Sequence, residues 1–227
     1  MRAATIRDGD VVVAEHPDPE PGPGEVLVRV RAAGLNGADM LQKAGAYPAP
    51  PGSPPDIPGL ELAGEVAGLG RGAARFAEGD RVMAIVGGGG QGELCVVHER
   101  QLMPVPDGLS WPEAGGLPEV FTTAHDALFT QCGLRAGERL LVHGGAGGVG
   151  TAAVQLGAAA GARVTATVRN AQLRDGVNEL GADSVLDPEG FGEHGPFDVV
   201  LELVGAPNLP EDLGALATGG RIVVIGV

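Results

Sequence analysis

Arg139-Leu140-Leu141-Val142, followed by His143-Gly144-Gly145-Ala146-Gly147-Gly148-Val149-Gly150 and then by small and aliphatic residues over 151–160, is the stretch that decides the fold. The first four residues read as an apolar strand and the last ten as a helix of small side chains. The glycines are the turn between them. Gly145-x-Gly147-x-x-Gly150 fits the dinucleotide fingerprint: the first glycine allows a tight turn, the second lets backbone approach a pyrophosphate, and the third lets the helix pack close to the strand. The helix N-terminus then faces the phosphate charge. Among 40 glycines the pattern alone is weak. Its place between strand and helix gives it specificity.

Downstream, residues 163–168 read as a second apolar strand and 171–180 as a helix stopped by Gly181. A brief third strand follows at 184–186, then a fourth at 197–204 that carries Glu202 near its end. A helix at 209–217, stopped by Gly219-Gly220, leads to a fifth strand at 221–227. Alternating strands and helices predict a parallel sheet covered on both faces. The usual doubly wound dinucleotide fold has about six strands. About five are readable here, so the sheet is expected to be incomplete where the chain stops at Val227.

Upstream the period changes. Val11-Val12-Val13 is a short strand, and 25–33 alternates Val26, Val28 and Val30 against Leu27, Arg29 and Arg31. Residues 36–43 read as a short helix capped by Asn36. A long Pro/Gly-rich loop over 45–59 holds Tyr47, and loops of that length in a compact domain are often functional. Strands at 60–69, 81–86 and 93–98, separated by glycine turns, indicate a small β-barrel. Ser110-Trp111-Pro112-Glu113 combines a capping box with Pro in the first turn, so a helix starts there. A second helical stretch covers 120–132. The expected organisation is therefore α/β, with a barrel domain over 1–120 and a dinucleotide-binding domain over 121–227.

Composition excludes some classes. The chain has 227 residues, 44% of them hydrophobic but only 3% aromatic, so its cores must be aliphatic. Fifteen basic against 29 acidic residues give a net charge of −14, which argues against a nucleic-acid partner. No apolar run reaches the roughly 18–20 residues needed to cross a bilayer, and residues 1–10 do not read as a signal peptide. A cytoplasmic protein without a membrane partner is expected. Cys95 and Cys132 read as buried thiols rather than a disulfide framework. His16, His98, His125, His143 and His194 show no metal-ligand spacing.

The end of the second strand bears on cofactor choice. NAD-preferring folds usually carry an acid there, whereas NADP-preferring ones place Arg near the 2′-phosphate. Val168 is followed by Arg169 and Asn170, with Arg174 a turn later and no acid before Asp175. The pattern favours NADP(H), since a phosphate wants forked cationic donors; solvated surface arginines are the bland alternative.

Several pieces in fixed order now resemble the zinc-free quinone oxidoreductase group of the medium-chain dehydrogenases/reductases. They are Asn36-x-x-Asp39-x-x-Gln42-x-x-Gly45-x-Tyr47, Pro58-Gly59-Leu60-Glu61-x-x-Gly64, Gly79-Asp80-Arg81-Val82, Leu117-Pro118-Glu119-x-x-x-Thr123 and the glycine turn. The resemblance covers almost the whole chain. It implies a GroES-like β-barrel domain plus a Rossmann sheet, with the active site in the cleft between them. It also implies NADPH-dependent hydride transfer to a small electrophile, a quinone or an alkene conjugated to a carbonyl. Asn36 and Tyr47 would line the substrate side as catalytic residues, and Thr123 would sit by the nicotinamide. Gly145, Ala146, Gly147, Gly148, Val149, Gly150, Arg169, Asn170, Val204, Gly205 and Gly226 complete the expected cofactor-binding set.

No zinc is expected. Leu60 stands where zinc-dependent relatives begin a His-Glu pair, Asn36 replaces their cysteine, and the four-cysteine lobe is missing. In three respects the chain departs from the group. A frequent Gly-Ser-x-x-Lys after the second strand is replaced by residues 169–173, with Arg169 the stand-in cation. A frequent tyrosine aligns with Pro188. Family members also continue well past Val227, through the strand that helps form their homodimer, so the chain is expected to be truncated.

On local sequence alone Asn36 reads equally as a helix cap, Tyr47 as a packing residue and Thr123 as an ordinary helix residue. Asp39 and Glu61 suit structural hydrogen bonding better than chemistry. A nucleotide-binding protein without turnover, or an inactive product of a reductase gene, remains the competing function.

Overall fold

The structure is a computed structural model and describes residues 1–225. Its chain divides into two compact units, Met1–Glu119 and Val120–Val227.

The first unit is all-β with short helices. Strands β1 (Arg2–Arg7) and β2 (Asp10–Glu15) form an antiparallel hairpin. Its turn is Asp8-Gly9, both at positive φ, 52° and 79°, the backbone that a two-residue hairpin loop requires and that Asp-Gly supplies. The sequence reading found only the second of these strands. β3 (Glu25–Ala32) is followed by the helix α1 (Gly37–Lys43), and then by β4 (Glu61–Leu69), β5 (Arg81–Ile85), β6 (Leu94–His98) and β7 (Met103–Pro104). The five strands form an antiparallel sheet in the order β6-β3-β4-β5-β7. Val26 and Val28 of β3, Leu62 and Val66 of β4, and Val82 and Ala84 of β5 fill its aliphatic core. Full burial of each Val or Leu contributes about 1.5–3 kcal/mol. The helix α2 (Trp111–Gly115) starts as expected: Ser110 N and Oγ both donate to Glu113 Oε2, at 2.8 and 2.6 Å. Residues 45–60 carry no helix or strand.

The boundary between the units falls within α3 (Pro118–His125), which continues as a π-helical segment, Asp126–Gln131. The second unit then runs β8 (Arg139–Val142), α4 (Gly148–Ala159), β9 (Arg163–Thr167), α5 (Arg174–Glu179), β10 (Ser184–Leu186), β11 (Phe197–Glu202), α6 (Leu209–Ala215) and β12 (Leu216–Val224). All pairings are parallel, in the order β10-β9-β8-β11-β12. Counted within the unit this is 3-2-1-4-5, the order of a doubly wound dinucleotide fold through its fifth strand. Leu140 and Val142 face a core shared with α4, while Leu141 faces a second core with Phe191 and Phe197. Both sheet faces are therefore covered, as parallel sheets require.

One boundary differs from the sequence reading. α6 ends at Ala215, and β12 begins at Leu216, ahead of Gly219-Gly220. These glycines do not stop a helix; they lie within the strand, where the register with β11 jumps from Phe197↔Leu216 to Val199↔Arg221. Gly219 takes φ +79° there, and a bulge of this kind draws on glycine's conformational range.

Candidate nucleotide-binding site

The glycine turn sits at the C-terminal end of β8, the central strand. Two of its glycines are sterically obligatory. A Cβ on Gly145 would lie 2.8 Å from the Cβ of Ala166, and one on Gly150 would overlap the Gly144 carbonyl oxygen. Helix α4 starts here with Gly147 as N-cap, and its first turn holds no acid. The first intrahelical bond runs from Thr151 N to Gly147 O at 2.8 Å. The first N–H groups of any helix lack intrahelical acceptors, and together with the helix dipole they suit an anion.

Beside the turn is a cavity of about 510 Å³ bounded by Gly144, Ala146, Gly147, Arg169, Asn170 and Val204. Pockets for small ligands usually fall within roughly 300–1,000 Å³. A second cavity, about 430 Å³, shares Gly144, Gly147 and Leu203 with the first and is also lined by Gly148, Val149 and Gly150. Most of the expected cofactor residues thus converge on one continuous region of this unit. Gly145 lies beneath the turn. Gly205 is buried behind the wall, where its N–H donates to Glu202 Oε1 at 2.7 Å. Thr123, half-buried on α3, lines neither cavity. Gly226 lies outside the described residues.

The arginines divide. Arg174 does not serve the cavity as the sequence suggested: its Nε donates to the Val168 carbonyl at 3.0 Å and its Nη2 to Asp187 at 2.6 Å. That hydrogen bond holds the Asp187 carboxyl below its ordinary range. Arg169 is exposed at the cavity wall and, among the described residues, makes no ion pair. Asn170 Oδ1 accepts from Gln172 N at 3.1 Å and so caps the following turn.

Sequence reasoning missed Thr167, Leu173, Leu203 and Asn208, which also line the larger cavity. Two of these, Thr167 and Leu203, end β9 and directly follow β11; their placement could have been read from strand ends. It also missed a cluster that histidine spacing did not reveal. His143, Glu202 and Asp212 bring three ligand-type atoms within 4.8 Å of one another. Both oxygens of Glu202 already accept hydrogen bonds, Oε1 from Val204 N and Gly205 N, and Oε2 from Asn208 Nδ2 at 3.0 Å.

In the first unit two buried carboxylates organise the segment holding Asn36. Asp39 accepts from Asn36 N at 2.9 Å, Gly59 N at 3.2 Å and Gln91 Nε2 at 3.2 Å. Glu61, 2% exposed, accepts from Asn36 Nδ2 and from Glu119 N, both at 2.9 Å. One amide hydrogen of Asn36 is therefore committed, and an amide carries two. Tyr47 is 42% exposed in the loop that precedes Glu61. Cys95 and Cys132 are free and buried, and burial pushes the Cys95 thiol up to about 12.

A parallel sheet in 3-2-1-4-5 order with an anion-ready glycine turn, preceded by an antiparallel β unit, defines a two-unit protein of dinucleotide-binding type. Comparisons with known proteins agree. Residues 22–107 match the alcohol dehydrogenase GroES-like domain and residues 148–227 the zinc-binding dehydrogenase family. Quinone oxidoreductase of Rattus norvegicus is 33% identical over 96% of this chain and 67% of its own length. Polyketide synthase GfsB of Streptomyces halstedii is 38% identical over 89% of this chain, a match covering 4% of the synthase. The crystal structure of CurK enoyl reductase superposes with a TM-score of 0.90 at 27% identity, covering all of this chain and 74% of the other. The chain belongs to the quinone oxidoreductase branch of the medium-chain dehydrogenases/reductases. It spans about two-thirds of the rat enzyme and a small fraction of the synthase. Such oxidoreductases use a nicotinamide nucleotide, and the glycine turn, free of Cβ atoms at its closest approaches, fits one. No helix among the described residues is long and apolar enough to cross a membrane.

Proposed function

We propose that this chain acts as an NADPH-dependent, zinc-independent reductase of quinones or α,β-unsaturated carbonyl compounds, with residues 1–120 serving the substrate and 121–227 the cofactor. The observation that carries the cofactor choice is Arg169, the one arginine at the cavity wall not committed elsewhere among the described residues. A guidinium there suits a 2′-phosphate, and no acid follows Val168 to favour a free ribose hydroxyl. The bound nicotinamide would supply the hydride. Turn residues 145–150 would hold the pyrophosphate, with Val204 and Gly205 after β11 beside it and Thr123 by the nicotinamide.

Charge grows on the substrate oxygen as hydride arrives, so preorganised donors lower the barrier. The free amide hydrogen of Asn36, oriented by Glu61, and the exposed hydroxyl of Tyr47 are the donors in this reading. A quinone or enone gives a stabilised enolate-like product that takes its proton from solvent, so no strong general acid is required. Zinc independence is supported by the residues themselves: Leu60 is a buried aliphatic side chain, and Glu61 is occupied by Asn36 and Glu119. We further propose a cytoplasmic location and, for a chain that includes the family's dimer strand, a homodimer.

The test is loss of NADPH absorbance with phenanthrenequinone and with a simple enone, before and after chelator treatment. Turnover with NADPH, weaker with NADH and unaffected by chelator, is expected. NADPH binding without consumption of either electrophile would leave a nucleotide-binding protein instead.

A further inference from the structure

Behind the cavity wall lies a cluster that the proposed chemistry does not use. His143, Glu202 and Asp212 are completely buried and Thr167 is 2% exposed. His143 Nε2 is 2.8 Å from Asp212 Oδ1 and 3.8 Å from Glu202 Oε2, while Nδ1 is 3.0 Å from Thr167 Oγ1. The ring of Phe191 packs edge-on against the imidazole at 4.5 Å. An Nε2–H on His143 would donate to an Asp212 carboxylate, which only accepts.

The connections run to the loops of the cavity. His143 directly precedes Gly144; Thr167 directly precedes Val168, Arg169 and Asn170; Glu202 precedes Leu203 and Val204 and also holds the Asn208 amide. Asp212 belongs to α6, whose N-cap is Asn208. One imidazole therefore joins the ends of three parallel strands to the helix that closes the wall. The cluster is a poor source of stability as such. Asp212 Oδ2 is buried with no hydrogen-bond partner among the described residues, and burying charges that are incompletely paired is generally less favourable than packing apolar groups of the same volume.

We propose that His143, Asp212 and Glu202 are positioning residues for the dinucleotide: together with Thr167, which itself lines the cavity, they hold the three wall loops in the binding geometry, and the first three do so without touching the cofactor. This rests on reading the cavity as the dinucleotide site. The same geometry gives Asp212 and Thr167 effects on cofactor affinity that exceed their effects on folding.

The experiment measures NADPH dissociation constants by nucleotide fluorescence, and melting temperatures by circular dichroism, on the full chain. Wild type comes first; if it binds neither NADPH nor NADH, the cofactor reading itself fails. Given binding, Asp212→Leu is expected to weaken NADPH roughly tenfold or more, and Thr167→Val roughly threefold to tenfold, by leaving the imidazole unpaired. Asp212→Asn, which keeps an oxygen for Nε2–H, should stay within about threefold of wild type. Val164→Ala, in the same strand as Thr167 but buried away from the cavity, should lower the melting temperature and leave the dissociation constant unchanged. If Asp212→Leu does not fold, Thr167→Val and Asp212→Asn decide. Wild-type affinity in folded Asp212→Leu or Thr167→Val overturns the proposal. So does a loss of affinity in Val164→Ala that matches its loss of melting temperature.

Discussion

Glu61 and Glu202 are the buried glutamates of the two units, one opening β4 and the other closing β11. Each accepts from an asparagine amide, Asn36 or Asn208, and from the backbone N–H groups of a turn or helix start. Their surroundings differ. Among the described residues, Glu61 accepts from two N–H donors, one on each oxygen. Glu202 has in addition an imidazole at 3.8 Å, which is itself bonded to a second carboxylate. Glu61, with neutral donors, ties β4 to the Asn36 segment and to the start of α3. Glu202, beside a buried histidine and aspartate, is linked through them to the ends of β8 and β9 and to α6, so damage there spreads to the cavity wall.

Glu202→Leu tests that difference most severely. It orphans the N–H groups of Val204 and Gly205 and the Asn208 amide. Buried unsatisfied groups cost about 1–3 kcal/mol each, so a loss of about 3 kcal/mol or more is expected in urea denaturation, with NADPH affinity falling too. Glu61→Leu orphans Asn36 Nδ2 and Glu119 N. About 2 kcal/mol should be lost, and kcat/KM for quinone should fall, because the Asn36 amide is no longer oriented. Its NADPH dissociation constant should stay at the wild-type value. Equal loss of NADPH affinity in both variants would break the comparison.

The surroundings of the two hubs were unequally legible in the sequence, although Glu61 itself meets partners 25 and 58 positions away. Asn36, Asp39 and the short helix they start lie within four positions, and the capping pattern at Ser110 and Glu113 is equally local. The glycine turn and the parallel strands were readable for the same reason: strand, turn and helix are consecutive, and the apolar runs mark the buried strands. The hairpin at Arg2–Glu15 escaped because β1, Arg-Ala-Ala-Thr-Ile-Arg, holds a single large apolar residue, Ile6; the Asp8-Gly9 turn was its real signal. The His143 cluster escaped for a different reason. Its partners lie 24 and 69 positions away along the chain, and a spacing rule built for neighbouring ligands does not see them. Arg174 shows the same limit, since an arginine in the right interval can be taken by a carboxylate, here Asp187, that only the fold brings close.

The cavity wall offers a smaller test, this time of charge at its surface. Arg169→Ala removes the uncommitted guanidinium while leaving Arg174 on Val168 and Asp187. NADPH should bind about tenfold more weakly, as expected for a lost charge-assisted hydrogen bond, and NADH should be unchanged. The parallel variant Arg174→Ala should affect both nucleotides equally, through the loop it braces. An equal effect of Arg169→Ala on both nucleotides would remove the phosphate role from that residue.

The smallest expected effect lies far from both hubs and reads as a pH dependence. Arg221 of β12 donates to both oxygens of Glu138, each at 2.9 Å, and to the carbonyl of Cys132 at 2.8 Å. The Arg221 hydrogen bonds lead the causes that hold the Glu138 carboxyl below its ordinary value of 4.5; the Arg135 N–H assists and desolvation opposes them. A folded-state value below the unfolded one means that the pair stabilises the protein above the ordinary carboxylate value. That contribution is lost as pH falls through the depressed one. Both side chains are partly exposed, 22% for Glu138 and 33% for Arg221, so solvent screening keeps the ionic contribution within about 1 kcal/mol. Arg221→Met should therefore melt slightly below wild type at neutral pH, and the gap should narrow on acidification. The remainder of the gap, from the bonds to the carbonyls of Cys132, Asp198 and Gly133, should not change with pH. A gap of constant size down to the acid limb would assign the whole effect to those carbonyl bonds and to packing.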